Sequence, residues 1–355
     1  RRSSDLLSLM YLNHKDKITL SDLKEILHRI SKKTNVKISF LIGFGGDDNE
    51  DDVINTLLGI NLIASYPCLN FKIYNCKVKS NTVAFAIKDK FLSTNIFFEE
   101  GECLFSTNSK DRRLVEEFYS NIKYTLKNKG NLLFYRKEAS SMIEDQTYIQ
   151  YIMNNDLRCL LGSINEFFMP PDLFMEIAER LFGHNQKIIN ELKKINLFLH
   201  NVTYKSKLKV LIHESELRKY MSSGKLHFFN TPVTLTFKER ERHIEYMEKI
   251  LNESNDVEIR LVDGDLVDDF KNKENPSLYL SRNLKFTKVY PESGKNYYFI
   301  ISDNEFKGMC TDLFDKLWNA RTDIIISNKD EILDRIAKSI SYTRLISESF
   351  GENIE

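Results

Sequence analysis

Two stretches of the sequence decide the predicted fold: LFSTNSKDRRLVEEFYSNIK at 104–123 and FIISDNEFKGMCTDLFDKLW at 299–318. Each begins with an apolar run typical of a strand, passes through a Ser-x-Asn step and continues with apolar residues at helical spacing. They align without a gap, and the matching pairs are Ser106/Ser302, Asn108/Asn304, Phe118/Phe314 and Ile122/Trp318. We expect the polar pairs to end a strand and cap a helix, and the apolar pairs to bury the inner face of that helix.

The elements predicted before each stretch follow a similar order. A buried strand, NVKISFLIGF at 35–44, precedes a glycine loop, a helix and three strand candidates. In the second part, KLKVLI at 207–212 precedes a Thr-rich loop, a helix and further strands. The sequence therefore predicts an α/β protein, with α+β as the alternative, built from two pseudo-repeated β-α-β-β-β-α halves joined by a helical segment. Two unrelated βα units would give the same pattern, so that interpretation stays open.

Five segments follow from this pattern. They are lead-in helices at 1–34, a first α/β half at 35–130, a helical connector at 131–205, a second α/β half at 206–328 and a C-terminal helix at 329–355. The lead-in helices are predicted from apolar residues at helical spacing in SSDLLSLMYLNHKD. The C-terminal helix is expected to pack on the body or on a second copy through its apolar face, which carries Ile332, Leu333, Ile336 and Ile340.

Composition limits the classes of function. The chain has 355 residues, with 51 basic and 51 acidic side chains. A zero formal charge argues against a surface that follows nucleic acid along its whole extent, because phosphate binding needs a concentrated basic excess. No apolar run approaches the roughly 20 residues of a membrane span. The five cysteines form no CxxC pair, which favours a reducing, cytoplasmic compartment.

The glycine loop is one candidate ligand-binding segment. Gly43, Gly45 and Gly46 follow the first predicted strand and precede a helix, where backbone N–H groups can hold an anion. The loop matches neither GxGxxG nor a Walker sequence, and its acidic residues would repel a phosphate. Turn and capping geometry is therefore the favoured interpretation, and a ligand-facing loop is the alternative.

The second candidate is the Thr-rich loop NTPVTLTF at 230–237. The hydroxyls of Thr231, Thr234 and Thr236 lie before a predicted helix, where they can bind a small anion or metabolite. They can equally cap the helix, and capping is favoured.

No catalytic or metal-binding motif is recognisable. The seven histidines show no HExxH or CxxC…HxxxH spacing, and GxSxG is absent. His213 with Glu214 and His243 with Glu239 are possible acid–base pairs, although surface histidines are commoner. The sequence predicts no metal and no cofactor, and it favours a non-catalytic protein.

Aromatic and basic residues interleave in YLSRNLKFTKVY at 279–290. Arg282, Lys285 and Lys288 among these aromatics could bind a nucleic-acid strand. An antiparallel strand with aromatic side chains inside and basic side chains outside would give the same sequence pattern, and this interpretation is favoured.

The two tandem halves, over 35–128 and 207–320, resemble the duplicated architecture of the phospholipase D superfamily. In that family each half normally supplies His-x-Lys-(x)4-Asp, with the His as nucleophile or general acid. This sequence contains no His-x-Lys, and the sequences at His14 and His184 have the wrong spacing. The resemblance therefore implies the fold without the phosphodiester chemistry, and it gives no catalytic residue.

Degenerate domains of this kind are sensor regions behind helix-turn-helix domains in bacterial regulators. The chain begins at Arg1 rather than Met, which would suit a regulator whose DNA-binding domain lies upstream. The resemblance thus implies a cytoplasmic sensor region that binds an unknown small-molecule ligand, forms a homodimer, contacts DNA only through that upstream domain and binds no membrane. The alternatives are an enzyme acting on a phosphorylated metabolite or nucleotide, and a non-catalytic protein-interaction module.

Overall fold

The computed structural model describes residues 4–9, 36–42, 53, 56–57, 69–75, 82–97, 103–264, 275–289, 297–319 and 323–349. Helices and mixed sheets make up these residues, so the predicted α/β class is confirmed. The chain divides into two compact units. Unit 1 comprises Arg1–Arg136, Tyr290–Lys295 and Phe299–Leu313, and unit 2 comprises Lys137–Val289, Asn296–Tyr298 and Phe314–Glu355.

Unit 1 contains a mixed sheet with the order β6-β5-β4-β1-β2-β3-β7. Strands β1, β2 and β3 are parallel, and the other pairings are antiparallel. The strands are β1 (Ser4–Leu9), β2 (Val36–Ile42), β3 (Leu69–Asn75), β4 (Thr82–Ile87), β5 (Phe91–Phe97), β6 (Cys103–Ser109) and β7 (Asn131–Leu132). Helix α1 (Arg112–Lys129) follows β6.

The second sheet has the order β17-β13-β10-β9-β14-β15-β16, and β8 is the further neighbour of β16. Strands β11 and β12 form a separate antiparallel hairpin. The strands are β8 (Phe134–Glu138), β9 (Asp156–Leu161), β10 (Lys207–His213), β11 (Lys225–Phe228), β12 (Thr231–Thr234), β13 (Val257–Val262), β14 (Leu278–Leu280), β15 (Lys285–Val289), β16 (Tyr297–Ile301) and β17 (Ile325–Ile326).

Eight further helices follow α1 in the described residues. They are α2 (Ala139–Glu144), α3 (Thr147–Ile152), α4 (Pro171–Phe182), α5 (Gln186–Asn201), α6 (Glu214–Ser223), α7 (Phe237–Glu253), α8 (Asn304–Asn319) and α9 (Lys329–Ser349). None of the helices that the structure describes is both long and apolar enough to cross a bilayer.

The two sheets have corresponding strand orders. The first contains β4-β1-β2-β3-β7 and the second β14-β9-β10-β13-β17. In both, the three middle strands run parallel and the outer two are antiparallel to them. The corresponding segments begin at β1 and β9, one strand earlier than the predicted β-α-β-β-β-α order. That the two halves repeat one unit remains a prediction.

Three of these strands, β1, β7 and β9, lie where the sequence pattern predicted helices, and β8 also lies in the predicted helical connector. Ser4–Leu9 is β1 and pairs with both β2 and β4, so the helix prediction was wrong there. The rest of 1–34 lies outside the described residues. In the predicted helical connector, Asp156–Leu161 is β9, the neighbour of both β10 and β14. These two central strands, SDLLSL and DLRCLL, are short and mix polar with apolar residues without a period-2 alternation along their whole length, so their pairing partners decide their structure.

The helix caps also differ from those predicted in the opening stretches. Ser106 and Asn108 lie within β6, and the Asp111 carboxylate caps α1 by accepting the N–H groups of Arg113 and Leu114. At the start of α8, Asp303 accepts the N–H of Phe306 at 2.9 Å. The predicted burial of the inner helix faces is confirmed for Ile122, Phe314 and Trp318. Phe118 is only half-buried.

Aromatic side chains fill the core of unit 2. Tyr148 meets Phe229 edge-to-face at 4.8 Å between ring centroids, and Tyr151 meets Phe286 at 4.9 Å. Aromatic pairs in such geometry add about 0.5–1.5 kcal/mol beyond the burial of their surface.

Gly224 ends α6 with a φ of +69°, and a Cβ there would lie 2.3 Å from the carbonyl oxygen of Leu235. We expect Gly224→Ala to lower the free energy of unfolding by at least ~2 kcal/mol, because it adds a clash to the left-handed strain. Gly308 lies inside α8 with open space around its Cα, so Gly308→Ala should raise stability by up to ~1 kcal/mol. Urea denaturation measures both; equal effects of the two substitutions would contradict the expectation.

Candidate functional site

The candidate site lies at the carboxyl ends of the parallel strands in unit 2. Strand β10 ends at His213 and leads directly into α6, whose first turn carries Glu214 and Glu216. Strand β13, its parallel neighbour, ends at Val262 and is followed by Asp263. Ligands of open α/β sheets bind outside this edge, so acidic side chains from adjacent strands meet where a ligand is expected.

The guanidinium of Arg335, on α9, joins three carboxylates at this edge. Its nitrogens lie 2.7 Å from Glu214 Oε2, 3.2 Å from Asp263 Oδ2 and 2.9 Å from Glu331 Oε1. Burial lowers the pKa of Arg335, but hydrogen bonds and attraction from the carboxylates outweigh it and raise that pKa above its ordinary value. We call Arg335, Glu214, Asp263 and Glu331 the Arg335 cluster.

A groove of about 1040 Å³ extends from the Arg335 cluster between α6 and α9. Its lining is charged near Arg335 and includes apolar side chains farther along the two helices. The residues are Glu214, Arg218, Lys219, Met221, Ser222, Glu331, Asp334, Arg335, Lys338, Ser339, Ser341, Tyr342 and Leu345.

Helix α9 is held on unit 2 by its apolar face. Ile332 and Ile336 are each 1% exposed, and α9 packs against α6, α7 and β13. Of the two predicted packing options, this is packing on the body. Farther along the helix, Tyr342 and Leu345 stay 69% and 64% exposed beside the groove.

The charges around the groove are already paired. Arg218 binds Glu214 at 2.6 Å, Lys219 binds Glu216 at 3.4 Å and Lys338 binds Asp334 at 2.5 Å. The charged side chains that line the groove are three carboxylates and four cations, and the partner carboxylates Glu216 and Asp263 lie outside this lining.

A second charged cluster lies deep in unit 2. Glu166 and Lys288 form an ion pair at 3.1 Å, and both side chains are 0% exposed. Glu166 also accepts hydrogen bonds from the Tyr148 hydroxyl at 2.7 Å and the Phe229 N–H at 3.2 Å. The Lys288 ammonium lies 5.1 Å from the ring centre of Tyr279. With its oxygens satisfied in this way, the buried carboxylate is held in one position.

Burial changes the acidity of this buried pair. Removal from water lowers the pKa of Lys288, and attraction to Glu166 opposes that shift. Burial, reinforced by Glu166, raises the pKa of Tyr148 well above its ordinary value. This cluster therefore serves the packing of the core rather than exchange with solvent.

Sequence reasoning missed this pair and misplaced Lys288. Arg282 is exposed and Lys285 is half-buried, but Lys288 points inward with Phe286. The signal was present: residues two apart on a strand share a face, and Phe286 and Lys288 are two apart. The prediction that all three basic residues face outward was wrong for Lys288.

The predicted acid–base pair of His243 with Glu239 is not formed. His243 Nε2 donates to the Phe167 carbonyl at 2.8 Å, and Nδ1 accepts from the Tyr220 hydroxyl at 2.9 Å. Burial lowers the pKa of His243 to about 4, so the ring is neutral and can make both bonds. His213 is also buried, and its pKa is lowered to about 4 for the same reason.

The structure places the predicted ligand-binding residues as follows. Gly43, Gly45 and Gly46 lie outside the described residues. The predicted loop at 230–237 contains strand β12, so Thr231 and Thr234 belong to a hairpin. Thr236 caps α7 in a capping box with Glu239, as the favoured interpretation has it. None of the three threonines lines the groove, and their role in ligand binding remains a prediction.

Within the described ranges, no group of three or more His, Cys, Asp or Glu side chains is arranged to hold a metal ion. A scan against models of protein families found no match. A search of curated proteins also found none.

The buried pair makes a double-mutant prediction. Glu166→Gln and Lys288→Met should each lower the free energy of unfolding by about 3–5 kcal/mol, because each leaves the other charge buried without its partner. The double variant should lose less than the sum. Arg242, in a partly exposed pair with Asp172 and Glu176, is the control, and Arg242→Ala should cost below about 1 kcal/mol. Additive losses in urea denaturation would show that the two side chains do not depend on each other.

The buried His213 makes a pH prediction. Its pKa is about 4 in the folded state against an ordinary value of 6.5, so the unfolded chain binds the extra proton. The contribution of neutral His213 to stability is therefore full above pH 6.5 and is lost as the pH falls toward 4. We expect His213→Gln to reduce the slope of Tm against pH in this window. Ile212→Val, which removes one methylene from the same strand, should keep the wild-type slope; an unchanged slope in His213→Gln would contradict the assignment.

Proposed function

We propose that the chain is the sensor region of a cytoplasmic bacterial transcriptional regulator, that it binds a small molecule without converting it, and that it acts as a homodimer. DNA would be contacted through a separate domain of the regulator. The observation that carries the proposal is the groove at the carboxyl edge of the parallel strands, closed on one side by α9. The corresponding strand orders of the two sheets fit the duplicated phospholipase D-like architecture that the proposal assumes.

Binding is favoured over catalysis by the state of the charged groups. The groove cations are engaged by carboxylates, and no His or Cys is among the side chains that line it. A general acid or base must be able to exchange a proton with substrate near neutral pH. The groove therefore contains charged groups that can position a ligand, and its lining contains no activated nucleophile.

Ligand binding in the groove would act on helix α9. It contributes eight of the groove residues, and it is attached to unit 2 by Ile332, Ile336 and the Arg335 cluster. A ligand that alters the Arg335 contacts changes the free energy with which this helix is held. A sensor requires this differential interaction between ligand and two states.

An enzyme acting on a phosphorylated metabolite or nucleotide is the second candidate. It is favoured by the convergence of seven charged side chains on one groove. The two functions differ in outcome, because an enzyme releases a product and a sensor releases its ligand unchanged.

A thermal-shift screen with a panel of charged and amphipathic metabolites tests the binding proposal. We expect at least one compound to raise the Tm of the wild-type chain by mass action, and Arg335→Ala or Tyr342→Ala to abolish that shift. Arg242→Ala, which removes an arginine outside the groove, should retain it. Shifts that persist in both groove variants would place the site elsewhere, and conversion of the compound, followed by mass spectrometry, would favour the enzyme.

The dimer is tested separately by light scattering across a range of protein concentrations. A mass of twice the chain's 41.7 kDa is expected. A monomer at every concentration, with and without a compound that binds, would contradict this part of the proposal.

A further inference from the structure

We infer that two copies of the chain associate by antiparallel pairing of strand β6, Cys103–Ser109, with the same strand of the second copy, across a twofold axis at Ser106. Such pairing would join the unit 1 sheets of the two copies into one continuous sheet. This inference rests on the homodimer of the proposed function and names its interface.

Strand β6 forms one edge of the sheet in unit 1. Within the described part of the chain, β5 is its one strand neighbour. Alternate residues of an edge strand direct their N–H and C=O groups away from the sheet, where they can pair with another strand. Every residue of β6 from Cys103 to Asn108 is exposed, so the strand is accessible to a second chain.

The sequence of β6 lacks the features that usually keep an edge strand unpaired. Charged side chains, proline and bulges prevent pairing between sheet edges in most proteins. The strand reads CLFSTNS, without a charge or a proline. Its pairing with β5 is regular from Phe105 to Ser109, and the register shift lies before this run. The regular run is therefore suited to pair on its outer edge as well.

Apolar side chains lie along this edge. Phe105 is 55% exposed, and Ile96, directly opposite it on β5, is 37% exposed. Leu104, the residue before Phe105, is 57% exposed. Pairing about Ser106 makes the two copies of Phe105 diagonal neighbours, at about 7–8 Å and within reach of aromatic side chains. The two Ile96–Phe105 pairs then form one apolar strip across the axis, and part of its surface is removed from water.

The charges that flank β6 favour a second copy in antiparallel orientation. They are symmetric about Ser106, because each of three acids before the strand has a base at the same distance after it. The pairs are Glu102/Lys110, Glu100/Arg112 and Glu99/Arg113. Antiparallel pairing about Ser106 brings the acidic flank of one copy to the basic flank of the other, whereas parallel pairing brings like charges together. The twofold axis also closes the assembly at two chains.

The basic flank has charge to offer a partner. Lys110, Arg112 and Arg113 are exposed, and no ion pair in the described residues engages them. Asp111 lies among them, but its carboxylate already accepts the backbone N–H groups of Arg113 and Leu114. These bases differ in this respect from the groove cations, each of which has a carboxylate partner.

Sedimentation velocity over a range of protein concentrations tests the interface. We expect Phe105→Lys, which introduces a charge into the exposed apolar strip, to raise the Kd of the dimer about tenfold or more. Lys110→Glu should also raise the Kd, because two acidic flanks then meet. Tyr124→Lys, at a residue of α1 that is 68% exposed, is the control and should leave the Kd unchanged. An unchanged Kd in Phe105→Lys would overturn the inference.

Cysteine cross-linking tests the register. In a Cys103→Ser background, Ser106→Cys places two thiols opposite each other across the axis, at a Cα separation of about 4.5–5.5 Å that a disulfide can span. Asn108→Cys is the matched control, since its two copies lie about 13 Å apart along the paired strands. Oxidation by copper phenanthroline should give covalent dimers with Ser106→Cys and few with Asn108→Cys. Equal cross-linking of the two variants would contradict pairing about Ser106.

The results distinguish this inference from the proposed function. If the wild-type chain is a dimer that Phe105→Lys leaves intact, the homodimer stands and β6 is not its interface. If the wild-type chain is a monomer at every concentration, the homodimer and the β6 interface both fall. Ligand binding is measured independently, because Phe105 lies outside the lining of the groove and Phe105→Lys should keep any thermal shift that a compound causes.

Discussion

The ion pair between Glu166 and Lys288 is the constraint on which unit 2 depends. Two charges with no exposed surface are tolerated only where fixed hydrogen bonds compensate for the lost water. Here Tyr148 and the Phe229 N–H complete the shell of Glu166. The backbone nearby is correspondingly strained: Phe168 and Phe229 have φ of +64° and +46°, values that bulky residues adopt only when their surroundings require them.

The loop that carries Glu166 follows the carboxyl end of β9, at the same edge of the sheet as the candidate site. The parallel strands β9, β10 and β13 are in continuous register there. Two charged clusters of opposite character result within unit 2. The Glu166–Lys288 pair is closed to water and serves the core. The Arg335 cluster is partly exposed to water, so its ion pairs contribute little net stability.

Local patterns predicted the helices well and the central strands poorly. The periodic apolar residues of α1, α7, α8 and α9 marked real helices, because helical spacing is visible within one segment. Strands β1 and β9 are six residues long and gain their partners from distant parts of the chain. No local pattern distinguishes such a run from one face of a helix. The candidate site was equally hidden, since Glu214 and Asp263 follow different strands and Arg335 comes from α9.

The sequence by itself determined the α/β class, most helices, the Thr236 cap and the burial of Phe314 and Trp318, because each follows from the spacing of nearby residues. Only the tertiary structure decided which charges meet. Lys288 reaches Glu166 across 122 residues of sequence, and Arg335 reaches Glu214 across 121. Such pairs form because the sheet brings distant strand ends to one edge or one core. The spacing of residues along the chain does not show which distant segments come together.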